Sequence, residues 1–182
     1  MASEYLCIDE LYVAAHEGLG EPDCPLRNLI PRVVELALHP DGSLRDARLH
    51  KLALCPRIVA VRFDGPLNFA TIRLFEDQLA DCLKRRPDAH HVLLAGHTID
   101  RLDTEAAEEM VKLLERLCES QVRVAVSGLR DDVAEMLRRA TGRGRAKAWF
   151  FPTQARALEV LHGDAHSDFT GETCPLRTVV LA

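Results

Sequence analysis

The residues able to do chemistry fall into a few short stretches. Gly65-Pro66-Leu67-Asn68-Phe69 joins a β-like run to a long amphipathic one. Pro66 fixes φ, Gly65 permits a tight approach, and the amides after Asn68 stand at a helix start. Such a start favours an anion, because several N–H donors there lack partners. The plainer reading is a turn that sets the angle of the first helix. It takes precedence, because anion cradles are usually richer in glycine. Asp103-Thr104-Glu105 opens a second helical run. Asp103 or Thr104 can cap it, and Glu105 suits its positive end.

His90, His91 and His97, with Asp100 after them, invite a metal hypothesis. His90 and His91 enter a strand side by side, however, and would point to opposite faces. There is no C-x-x-C pair, and the reading expects no metal site. The stretch "HGDAHSD" could hold a weak ion, but it is read as part of a loose tail. "TGRGRAKAW" lacks the order of a phosphate-binding P-loop, and G-x-S-x-G is missing. Ser127 ends a strand with no assignable His or Asp partner. No catalytic residue is assigned, and the chain is read as a non-enzyme. "GEPDCPLR" (Gly20–Arg27) and "GETCPLR" (Gly171–Arg177) nearly repeat. Their Cys-Pro pairs could meet as a disulfide or a metal half-site, or match by coincidence.

These stretches need elements to position them. Arg32–Leu38 and Ser43–Leu49 flank Pro-Asp-Gly-Ser, which predicts a hairpin. Arg57–Phe63 alternates β-branched and aromatic residues, as a strand prefers. After it, Phe69, Ile72, Phe75, Leu79 and Leu83 recur at helical spacing, with Asn68 as the cap. His90–Gly96 is a continuous apolar run suited to a strand buried on both faces. Ala106, Met110, Leu113, Leu114 and Leu117 form the inner stripe of the second helix. "QVRVAVSGL" predicts a third strand, and "RDDVAEMLRRATG" its helix, closed by Gly142. Ala148–Phe151 predicts a short strand, and Thr153 caps a last helix over Gln154–Leu161. Alternation of this kind predicts a mostly parallel sheet of four to five strands with about four helices packed on it.

Composition narrows the classes. The chain has 182 residues, 47% of them apolar, enough for a sizeable core. A net charge of −5 with dispersed cations gives no footprint for nucleic acid. No apolar run reaches the roughly 18 residues of a membrane helix, so no direct membrane insertion is expected. The acidic start "MASEYLCIDELY" does not read as a secretory signal. Six cysteines without paired spacing suit a reducing compartment. The expected location is cytoplasmic.

A resemblance now becomes visible. "RIVAVRFDGPLNFATIRLFEDQL" resembles the opening of the STAS domain of sulfate-permease anion transporters, where a strand also leads through Gly-Pro-Leu into the first helix. "HPDGSLRDARLH" is similar to the stretch that precedes that domain, and "HVLLAGHTIDRLDTEAAEEMVKLLERL" to the strand, loop and helix that follow. The resemblance covers about residues 31–162. It implies an α/β, STAS-like fold, with residues 1–30 as an extension and 163–182 as a flexible tail. It also implies a protein-interaction role, the partner being a membrane anion transporter at the inner face of the membrane. The implied edge is Gly65, Pro66, Leu67, Asn68 and Phe69, with Asp100, Asp103, Thr104 and Glu105. The wider family includes anti-sigma-factor antagonists, which bind a kinase-like anti-sigma factor and are switched by phosphorylation within Asp-Ser-Ser-Gly. On this chain Asp103 matches the aspartate and Thr104 the first serine. Glu105 stands where the phosphorylated serine would be, so Thr104 is the remaining candidate acceptor. Two alternatives stay open: an anti-sigma-factor antagonist, and a module binding nucleotide weakly or acting as a small NTPase. No other cofactor is expected.

Overall fold

The computed structural model describes residues 31–141, 149–167 and 174–176. Its strands are β1 (Arg32–Leu38), β2 (Leu44–Asp46), β3 (Ile58–Asp64), β4 (His91–Ala95), β5 (Arg123–Ser127) and β6 (Trp149–Phe151). Its helices are α1 (Ile72–Lys84), α2 (Thr104–Glu119), α3 (Asp131–Thr141) and α4 (Gln154–Ala165). The six strands form one sheet in the order β2-β1-β3-β4-β5-β6. The β1–β2 and β1–β3 pairs are antiparallel; β3, β4, β5 and β6 run parallel. The sheet thus carries one strand more than the upper sequence expectation. The N-terminal hairpin adds two antiparallel strands beside the βα repeats.

The inner parallel strands β3, β4 and β5 are largely buried on both faces, and their side chains sort by the period of two. Val59, Val61 and Phe63 of β3 join Val92 and Leu94 of β4 on one face. There they meet Ile72 and Phe75 of α1, Ala106 and Met110 of α2, and Val133 and Leu137 of α3. Ile58, Ala60, Leu93, Ala95 and Ala125 face the other way, onto Ala157, Leu158, Leu161 and Ala165 of α4. Three helices therefore cover one face and a single helix the other.

The second hairpin arm is only Leu44–Asp46 rather than Ser43–Leu49, and two helix boundaries also differ from the sequence reading. α1 begins at Ile72, so Phe69 lies in the turn before the helix and is 64% exposed rather than inward. α4 runs on through Gly163 to Ala165, past the expected Leu161. Glycine disfavours a helix interior, but tertiary contacts carry this turn. Ala165 is buried, and Arg57 Nη1 donates to its carbonyl at 2.9 Å. Asp164 accepts from Arg123 and pairs with His91 Nε2 at 2.9 Å. Of the segment expected as a tail, residues 163–165 thus complete α4, and Leu176 is buried in the second core. Residues 1–30, Gly142 and Cys24 lie outside the described residues.

Candidate functional site: one edge built by two loops

The two candidate segments leave the same end of the sheet. Gly65–Phe69 follows β3, and the loop through Asp100 to Asp103 follows β4, the parallel neighbour of β3. The loops then pair. Leu67 and Leu102 form a parallel bridge, and both side chains are buried. Gly65 makes this path possible. Its φ is +133°, and a Cβ there would stand 3.0 Å from the Cα and Cβ of Pro31.

Asn68 caps the turn rather than the helix. Its Oδ1 accepts from the amides of Ala70 at 3.0 Å and Thr71 at 3.2 Å. Its carbonyl accepts from Ile72 at 2.9 Å. Thr71 precedes α1 with no side-chain cap bond, and its hydroxyl donates to the Pro66 carbonyl at 2.6 Å. Asp103 does two jobs. As the cap of α2, its Oδ1 accepts from Ala106 at 2.7 Å. Its Oδ2 accepts from the Phe69 amide at 3.0 Å. The donors after Asn68 are therefore engaged within the chain, and a carboxylate of the chain fills the place an anion would take. An outside anion would have to displace Asp103.

The other candidates surround this clamp. Asp100, Thr104 and Glu105 are exposed, Gly65 and Asn68 half-buried, and Pro66 exposed. Among the described residues, Phe69 is more exposed than Leu49 or Phe150, the other large apolar side chains at the surface. A groove of about 480 Å³ beside Thr104 is lined by Glu108, Asp132, Met136 and Arg139 of α2 and α3. His97 sits in the 3-10 turn after β4, with Nδ1 3.0 Å from Gln154 Nε2. Burial, and then the charge of Arg62, push its imidazole below the ordinary histidine range, against the pull of Asp64.

At the opposite end of the sheet lies a group the sequence reading does not foresee. Cys55, just before β3, has its Sγ 3.5 Å from Cys174 Sγ and 3.5 Å from His166 Nε2. Cys174, whose Cys-Pro-Leu-Arg stretch nearly repeats the one around Cys24, meets Cys55, which also precedes a proline. His162 and His166 are four residues apart, one helical turn, with ring centroids 4.4 Å apart. That spacing is a readable signal for a shared helix face. The hydrogen bond from Cys174 brings the Cys55 thiol down to about 5 against the effect of burial, and the same bond raises Cys174.

The STAS domain profile matches residues 52–157. No curated protein matches the chain by sequence. Among solved structures, the murine anion transporter Slc26a9 in its inward-facing state aligns with a TM-score of 0.63 and 14% identity, over 74% of this chain and 22% of the transporter. A second structure of SLC26A9 gives 0.62 and 15%, over 75% and 25%. A candidate anti-sigma factor antagonist of Thermotoga maritima gives 0.47 and 17%, over 64% and 98%. The chain spans about a quarter of the length of the transporters it resembles. Among the described residues, no helix is long and apolar enough to cross a membrane.

Proposed function

The chain belongs to the STAS domain family, and from that membership we propose that it is a non-catalytic regulatory domain that docks a protein partner through the edge around Phe69. One observation carries the reading: a large aromatic side chain, 64% exposed, stands on a support fixed by the Leu67–Leu102 bridge and the Asp103 clamp. Rigid aromatic anchors of this kind dominate the energetics of interfaces. Exposed Asp100 and Glu105 supply the polar rim. The partner is a membrane anion transporter, which places the domain at the cytoplasmic face of the membrane. The resemblance in fold to SLC26A9 supports that choice. Nucleotide binding is not part of the reading, since the amides that would cradle phosphate already bond Asn68 and Asp103.

A second reading rests on Thr104. Its side chain is exposed at the first turn of α2, beside the groove. There a phosphate would meet the positive end of the helix. In that case the domain is an anti-sigma-factor antagonist.

The test is capture from native extract with the membrane fraction solubilised in mild detergent. Recovery of a polytopic anion transporter, lost with Phe69→Asp, supports the transporter reading. Recovery of a soluble kinase-like anti-sigma factor, with stoichiometric phosphate on Thr104 after kinase treatment, replaces it with the second.

A further inference from the structure

We propose that Cys55, His166 and Cys174 form a binding site for a thiophilic divalent metal ion, zinc by preference, at the end of the sheet remote from Phe69. The three ligand atoms lie within 4.8 Å of one another. Their spacing fits a tetrahedral centre. With Zn–S of about 2.3 Å and Zn–N of about 2.0–2.1 Å, ligand atoms at tetrahedral angles stand about 3.8 Å apart for S···S and about 3.6 Å for S···N. Cys55 Sγ stands 3.5 Å from Cys174 Sγ and 3.5 Å from His166 Nε2, and Cys174 and His166 lie within 4.8 Å of each other.

Amide donors face both sulfurs, although Cys174 keeps its thiol proton in the metal-free chain, a proton that zinc would displace. Cys55 and Cys174 each precede a proline, and each sulfur receives amide hydrogens from the residues that follow. Leu176 N–H donates to Cys174 Sγ at 3.4 Å, and the amides of Arg57 and Ile58 bond Cys55. Amide donors of this kind stabilise the charged form a metal requires. The donor set of two thiolates and one imidazole suits zinc and excludes calcium and magnesium, which take oxygen. Three protein ligands leave the fourth position to solvent.

The site also has a mechanical consequence. Cys55 precedes β3, His166 follows α4, and Cys174 lies beyond both in sequence. One ion would tie these three segments together, closing a loop of over a hundred residues between Cys55 and Cys174. A nucleophilic role is a poorer fit, because Cys55 is 2% exposed and unreachable for a substrate.

The experiment uses the untagged full chain, purified under reductant, stripped with chelator and titrated with zinc or cobalt alone. The expected result is one equivalent of zinc held per chain through gel filtration. Cobalt should give intense visible bands of a tetrahedral site and a thiolate charge-transfer band. Cys174→Ser and His166→Ala should each weaken binding by about a hundredfold or more, while Cys118→Ser keeps it. Circular dichroism checks that the variants fold, and the cobalt spectrum of the unaltered chain stands without them. The proposal is overturned if the reduced chain retains no metal, or if retention survives both Cys174→Ser and His166→Ala. A Cys55–Cys174 disulfide in protein that binds no zinc after reduction overturns it equally.

Discussion

At the residue scale, three positions make testable commitments. Gly65 holds φ +133° against Pro31. Gly65→Ala should cost about 1–3 kcal/mol, since a side chain rarely adopts this conformation and its Cβ would crowd the proline; urea denaturation measures it. Asp103 joins a helix cap to a loop clamp. Asp103→Ala should destabilise by about 1–2 kcal/mol and Asp103→Asn by less, because the amide oxygen can still accept from Ala106 or Phe69. Equal losses for both variants would argue that the negative charge, not the acceptor, matters. His97 resists protonation in the folded chain. As pH falls through about 6.5 the unfolded chain takes up a proton more readily than the folded one, so stability declines with acidity. His97→Gln should flatten that part of the pH–stability curve. The effect will be modest, because His97 is exposed and solvent screens it.

At the scale of elements, Phe69 and Phe75 provide the sharpest contrast. Helical periodicity assigns both to one inner stripe. Phe75 is 1% exposed and meets Phe63 edge to face at 5.5 Å, while Phe69 points to solvent. Phe75→Ala should therefore cost about 3–5 kcal/mol, and Phe69→Ala no more than about 0.5 kcal/mol. Thermal unfolding of the two variants decides it; similar losses would mean that Phe69 packs inward in solution. The contrast also shows what the sequence can express. The hairpin was legible because Asp-Gly specifies its turn, β4 because its run is apolar on both faces, and β3 and β5 because β-branched residues alternate along them. The cap at Thr153 was legible from side-chain chemistry, and that of α2 was narrowed to Asp103 or Thr104, of which Asp103 caps. The start of α1 was not, because Asn68 can cap a turn as well as a helix. The end of α4 was not, because the contacts of Asp164 and Ala165 override the local propensity of Gly163. The Cys55–Cys174 approach spans 119 residues, a separation on which spacing carries no information, although the His162–His166 interval could have drawn attention to that end of α4.

At the scale of the molecule, the fold keeps its two notable groups apart. The Phe69 edge follows the carboxyl ends of β3 and β4, where open α/β sheets usually present their binding surfaces. The cysteine–histidine group lies before β3 and after α4, at the amino ends of the same strands. β3 has seven residues, and at about 3.3 Å per residue it separates the two ends by roughly 20 Å. Sites so distant, with no shared partners, should act additively. Cys174→Ser should then leave partner capture by the Phe69 edge unchanged, and Phe69→Asp should leave zinc retention unchanged. In the double variant the two losses should combine without interaction. If zinc instead alters capture in the unaltered chain but not in Cys174→Ser, the sheet couples its ends. By reciprocity, the partner must then change zinc affinity by the same factor, and a zinc titration with and without the captured partner would measure it.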